Sequence, residues 1–153
     1  MDVPSPLVVR LAEVVPVDRG SGVRTTPLVG HWNSESTALS TGITEIAPGK
    51  GVPLHTHNVE EAVLVLSGSA HVSIGEAELA LNAHDSTWIP ADVPHRFANA
   101  GPNVLRIYWV YRGVDITRTM AETGETVRHL SSEDRVDHQA DRSSGRSARV
   151  SSV

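Results

Sequence analysis

Apolar residues in this chain come in short runs, cut every few positions by Gly, Pro, Asn or Ser. Almost nowhere do they follow the three-and-four spacing of an amphipathic helix. A chain punctuated in this way has no long helical face to bury, and the pattern predicts an all-β sandwich or barrel. The runs place strands at 7–15, 27–33, 40–48, 61–75 with a turn at Ser67-Gly68-Ser69, 77–81, 86–91, 95–100 and 104–112. Beyond Arg112 the pattern weakens, and 116–130 reads as an edge strand or an extended arm. From Ser131 onward the chain is polar and rich in Ser and Arg, with too little apolar surface to offset the entropy of ordering, so disorder is expected. The chain therefore divides into N-terminal strands and arm (1–35), a barrel (36–115), a C-terminal arm (116–130) and a disordered tail (131–153).

The length of 153 residues suits one core. There is no cysteine, which excludes disulfides and thiolate metal sites. The formal net charge is -5, and Lys50 is the only lysine. A nucleic-acid partner would call for a basic face, and a membrane span for about 20 apolar residues, so neither partner is expected. The acid at position 2 and the early prolines do not suit a secretory signal, and a cytoplasmic location is expected.

One stretch carries chemistry: GKGVPLHTHNVEEAVLVLSG, residues 49–68. Side chains alternate along an extended segment, so His55, His57, Val59 and Glu61 share one side and Glu60 points away. The run after Glu61 is apolar on both faces, as in a strand buried on both sides. Two imidazoles and a carboxylate aimed into an apolar interior are costly unless something pairs with them. A divalent cation does so, and this donor set suits Fe, Mn, Ni, Zn or Cu. The alternative is a solvated loop carrying these groups in water. A second stretch, HDSTWIPADVPHRFANAG at 84–101, brings His95 into a strand after a proline-bounded turn, with Phe97 and Asn99 on the same face.

These residues resemble the two motifs of the cupin family. The first is matched completely by Gly49, His55, His57, Glu61 and Gly68, and the second in part by Pro90, His95 and Asn99. His84 and Asp92 stand where the second motif has glycines. Asp is at home in turns, but a histidine is strained if position 84 needs a positive φ. The resemblance implies a small single-domain cupin: a double-stranded β-helix, or jelly-roll barrel, around one divalent metal held by His55, His57, Glu61 and His95. Four protein ligands leave open positions for a small-molecule substrate, so a metal-dependent enzyme is implied, with an Fe(II) dioxygenase foremost. Mn, Ni or Zn at the metal site, isomerase or lyase chemistry, and non-catalytic metabolite binding are the alternatives. No helix-turn-helix is present to make the chain a regulator.

Around this set, Glu60 is a candidate for a supporting or general-base role beside Glu61. Trp88 and Phe97 are candidates to line the pocket or to pack in the core. Arg106 and Tyr108 could meet a substrate if their face of 104–112 looks inward; Leu105, Ile107, Trp109 and Tyr111 share the other. Asn99 is expected to hold the turn after its strand. His31 is a candidate for the barrel mouth, and His129 and His138 are expected to be solvated. The run at 7–15 and the face of Leu64 and Leu66 offer apolar surface for a homodimer.

Overall fold

The computed structural model describes residues 2–137. Strands are labelled in chain order: β1 Val17–Gly20, β2 Val23–Pro27, β3 Ser40–Ile46, β4 His55–His57, β5 Glu61–Ser67, β6 Ser69–Ile74, β7 Ala77–Asn82, β8 Ser86–Ile89, β9 His95–Asn99, β10 Leu105–Tyr111, β11 Thr117–Met120 and β12 Thr126–Arg128. They form two six-stranded sheets, ordered β1-β2-β3-β10-β5-β8 and β12-β11-β4-β9-β6-β7. All named pairings are antiparallel, and the two sheets face each other as a jelly roll.

Alternation sets what each strand buries. In β10 every odd residue, from Leu105 to Tyr111, is buried and every even one is half-buried. In β9, His95, Phe97 and Asn99 point inward together, as their parity required. Val63, Val65, Val72, Ile89, Phe97, Leu105, Ile107 and Trp109 fill the space between the sheets. At about 25 cal/mol per Å² of apolar surface removed from water, this filling is the main force holding the sheets together.

Several expected boundaries move. The 7–15 run is not a strand: it is extended chain broken by a single 3-10 turn at Leu11–Glu13. The strand expected at 27–33 lies earlier, at Val23–Pro27, and 28–34 is a turn region in which the Trp32 and Asn33 side chains both bond the Leu28 carbonyl. The strand β5 is not buried on both faces, since Ala62 is exposed and Leu64 and Leu66 are half-buried. The arm at 116–130 belongs to the barrel, with β11 pairing to both β4 and β12. The expected disorder does not begin at Ser131: Asp134 and Val136 are buried, and the Val136 N–H bonds the Arg19 carbonyl. Residues 138–153 lie outside the described residues. Among the described residues no helix is long and apolar enough to cross a membrane.

Both departures from the second motif fall where the backbone is left-handed: φ is 76° at His84 and 64° at Asp92. The cost of this conformation for a residue with a Cβ is about 1–2 kcal/mol, less for Asp. Because His84 is exposed, His84→Gly should raise stability by about 1 kcal/mol in urea unfolding, after the entropy lost by glycine is counted. Asp92→Gly should change it by less. A destabilised H84G would mean that the imidazole makes a compensating contact.

Candidate metal centre

The cluster is assembled from both sheets. The short strand β4 supplies His55 and His57, and β9, paired to it at His55 and His95, supplies the third imidazole. Glu61 opens β5 in the opposite sheet. The three residues between β4 and β5 carry the chain from one sheet to the other, so the carboxylate faces the imidazoles across the interior. All four residues are 4 % exposed or less.

Hydrogen bonds fix the imidazole tautomers. Each Nδ1 lies against a backbone carbonyl: His55 on Pro53 at 2.6 Å, His57 on Thr117 at 2.9 Å, His95 on Val93 at 2.8 Å. A carbonyl only accepts, so each Nδ1 carries the proton and each Nε2 is left with an unprotonated lone pair, that of His57 facing the Tyr111 hydroxyl. Yet the Nε2 atoms of His55 and His57 are 3.1 Å apart. With both Nδ1 atoms protonated, two lone pairs face each other across that gap. The Nε2 of His95 is buried without a hydrogen bond; it stands 3.1 Å from a Glu61 oxygen, but not in line for one. The other Glu61 oxygen is 3.6 Å from the His57 Nε2. Three convergent lone pairs beside a carboxylate are what a divalent cation would satisfy, so the residues present fit the metal that the motif implies.

The electrostatics agree. Burial, with the positive Arg118 next in effect, pushes the His55 pKa well below the usual imidazole value. Burial lowers that of His57 to about 4, against the pull of Glu61. Burial alone would raise Glu61, but its approach to His95, the neighbouring His57 and the nearby Tyr111 hydroxyl outweigh it and lower the carboxyl from its usual range. The site thus offers neutral imidazoles at His55 and His57 and an ionised carboxylate at neutral pH. The metal-free protein should therefore lose stability as the pH falls from about 6.5 toward 4. In that window the unfolded chain takes up protons on His55 and His57 that the folded chain refuses. The slope is up to about 1.4 kcal/mol per pH unit for each histidine. Melting temperatures of chelator-treated protein between pH 7.5 and 5 check this, and a flat profile would contradict it.

The surrounding cavity has a volume of about 30 Å³, enough for a few water-sized groups. Phe97 lines it, as one of its two expectations held. Four other candidates stand outside it. Trp88 is 65 % exposed, and its indole N–H donates to Glu60 on the outer surface. Glu60 also approaches Arg112 there, so it points away from the cluster and cannot serve it as a base. Arg106 and Tyr108 stand on the outer face of β10. Asn99 does hold its turn, donating to the carbonyls of Ile46 and Asn103 and accepting from the Gly101 N–H. His31 is exposed.

Other cavity residues were not singled out for it from the sequence. Tyr111 places its hydroxyl 3.1 Å from the His57 Nε2, and burial raises its pKa well above the phenol value. His129, expected in solvent, stacks edge-on to Trp109 and Tyr111 at 5.1 Å, and burial keeps its ring neutral. Arg19 and Arg118 line the cavity too. Strand parity in β10 would have found Tyr111, because the more apolar face of that strand is the inner one.

Two facing antiparallel sheets with a buried histidine cluster suited to a divalent metal define a small metal-binding cupin. The chain belongs to the cupin family: the family model described as Cupin domain matches residues 42–111. The polyketide synthase CurC of Streptomyces cyaneus is 34% identical over 109 residues, 70% of each chain. The protein SchB of Streptomyces halstedii is 31% identical over 94 residues, 61% of this chain and 68% of SchB. The xanthan biosynthesis protein XanB of Xanthomonas campestris is 38% identical over 69 residues, and the chain spans only 15% of its length. An RmlC-like cupin from Shewanella frigidimarina superposes with a TM-score of 0.62 at 20% identity, covering 72% of this chain and 94% of that one. The oxalate decarboxylase of Bacillus subtilis, which has Mn(II) centres, gives 0.68 at 21% identity, covering 79% of this chain and 33% of that one. At such identities these structures establish the shared fold.

Proposed function

We propose that this chain is a metal-dependent enzyme acting on a small organic molecule, with one divalent metal held by His55, His57, Glu61 and His95. The observation that carries the reading is the set of three buried imidazoles whose unprotonated Nε2 atoms converge beside Glu61. Bound there, the metal would supply Lewis-acid or redox chemistry at its open positions. The protein's own residues do the rest. The carbonyls of Pro53, Val93 and Thr117 hold the imidazoles in register, and Tyr111 offers a neutral hydroxyl at the edge of the set. Val63, Phe97, Ile107 and Trp109 give the cavity its apolar walls.

Oxygen-dependent chemistry on Fe(II), that of a dioxygenase, is favoured, because a metal held by these four residues would offer redox chemistry with room beside it for a substrate. The name of CurC supports a biosynthetic role on small-molecule intermediates. Fe(II) reconstitution without air, followed by oxygen uptake with phenolic, diketone and amino-acid substrates, tests it. Turnover with Mn, Ni or Zn and no oxygen consumption would move the assignment to isomerase or lyase chemistry. Metal uptake without turnover of any candidate would favour a binding role.

A second copy of the chain is proposed as the other partner. Leu7, Val8, Leu11 and Val15 in the N-terminal segment are exposed. These side chains have little to pack against in a single chain, and a second copy would cover them. Light scattering at micromolar concentration should give twice the 16.4 kDa chain mass, and a monomer would overturn the dimer.

A further inference from the structure

A second charged group shares the cavity with the histidines. Arg19, on β1, is 2 % exposed and Arg118, on β11, is 4 % exposed; both line the cavity. One carboxylate serves both. The Asp134 Oδ1 accepts from the Arg19 Nη2 at 2.7 Å and lies 3.0 Å from the Arg118 Nη1. Arg19 is well supplied, since its Nε also bonds the Asp134 carbonyl at 2.6 Å. Arg118 is not. Its contact with Asp134 lacks the alignment of a hydrogen bond, and among the described residues neither its Nε nor its Nη1 has a hydrogen-bond partner. Guanidinium nitrogens sealed from water and left without acceptors are costly, and a native interior rarely leaves them so.

The position of Arg118 says where the missing acceptor belongs. In the ladder of β4 and β11 it stands opposite His57, so its side chain enters the cavity beside the metal cluster. The charge count points the same way. On formal charge, the two buried guanidinium groups are matched by the carboxylates of Asp134 and Glu61. A divalent ion in the cluster would then leave the enclosed site with two uncompensated positive charges, which a buried site tolerates poorly without an anion.

We propose that Arg118 is the substrate-anchoring residue of this site and that it takes a carboxylate, held across its Nε and an Nη edge, with Arg19 and Asp134 fixing the guanidinium in place. Paired donors in a planar fork match a carboxylate's two oxygens better than they match a single alkoxide or a neutral amide. The cavity admits only a few water-sized groups, so it accommodates the acid end of a substrate and leaves any larger remainder at the mouth. The inference deepens the metal-centre reading and rests on it for the metal's share of the charge; the orphaned guanidinium stands without it.

The test is titration calorimetry of the full chain with acetate and, as the uncharged isostere, acetamide. It is run on Mn(II)-loaded and metal-free protein, with metal content measured separately. Acetate is expected to bind wild type at least 10-fold more tightly than acetamide, and more tightly when metal is bound. Arg118→Gln should weaken acetate by 10-fold or more while metal content stays unchanged. Arg118→Lys, which keeps the charge and loses the fork, should weaken it less. Equal affinity of wild type for acetate and acetamide would overturn the proposal, as would undiminished acetate binding by R118Q. If neither variant folds, the comparison of acetate with acetamide in wild type decides. Failure to load metal would count against the metal centre, and acetate binding by the metal-free chain would still decide the role of Arg118.

Discussion

Asp134→Ala is expected to destabilise the protein by about 3–5 kcal/mol, the cost of leaving a buried charge without its partner. The carboxylate is fully shielded and makes two sets of contacts that alanine would lose, while the residue's backbone carbonyl makes a third that alanine would keep. Its Oδ1 lies against Arg19 and Arg118, its Oδ2 accepts the Leu130 N–H at 2.9 Å, and its backbone carbonyl accepts from the Arg19 Nε. Burial and the neighbouring Arg118 already lower the Arg19 pKa to about 10, against the support of Asp134. Removing that support leaves two guanidinium groups in an apolar interior. Water entry or rearrangement of 130–137 would relieve part of the cost. Urea unfolding monitored by tryptophan fluorescence checks the figure, and a loss below about 1 kcal/mol would show that the arginines find other partners. Leu130, at φ 63°, supports the same view: a bulky residue is held in a left-handed turn where the chain bends to deliver Asp134.

Glu61→Ala and His95→Ala should each lower divalent metal affinity by about 10-fold or more, since each removes a donor that converges on the shared point. Elemental analysis of protein purified without added metal, with chelator competition on the same samples, gives the comparison. Glu60→Ala is the matched control, one residue from Glu61 but turned outward against Trp88 and Arg112. It should leave metal content unchanged, as should His138→Ala, which lies outside the described residues. Equal occupancy in E61A, H95A and E60A would contradict the proposed ligand set. Because metal binds only the folded state, the wild type should also gain stability on loading and both ligand variants should gain less.

The pairing of Glu60 with Glu61 shows how far local pattern reaches. Parity along an extended segment separated the inward carboxylate from the outward one. The same rule placed His55, His57, His95, Phe97 and Asn99 on inner faces. It also exposed the two faces of β10 without deciding between them, which is why Arg106 and Tyr108 stood as candidates while Tyr111, on the inner face, did not. Trp88 misled for a related reason. Its size suggests burial, but it sits one residue out of phase with Ile89 on β8, near the sheet edge, where the outer face is open.

From its residues alone this chain settled its β architecture, the run of strands from β5 to β10, and the inward side shared by His55, His57, Glu61 and His95, because each of these is written in spacings of a few residues. Tertiary structure alone decided the rest of the cavity. A polar segment looks the same whether water or a buried guanidinium receives it. The bond joining Arg19 to Asp134 spans 115 residues of sequence, and no local periodicity reports on a partner so remote. That single ion cluster ties the start of an expected tail, at Asp134, to two arginines of the site. The pairing of β11 with β4, equally remote in sequence, is what sets Arg118 opposite His57.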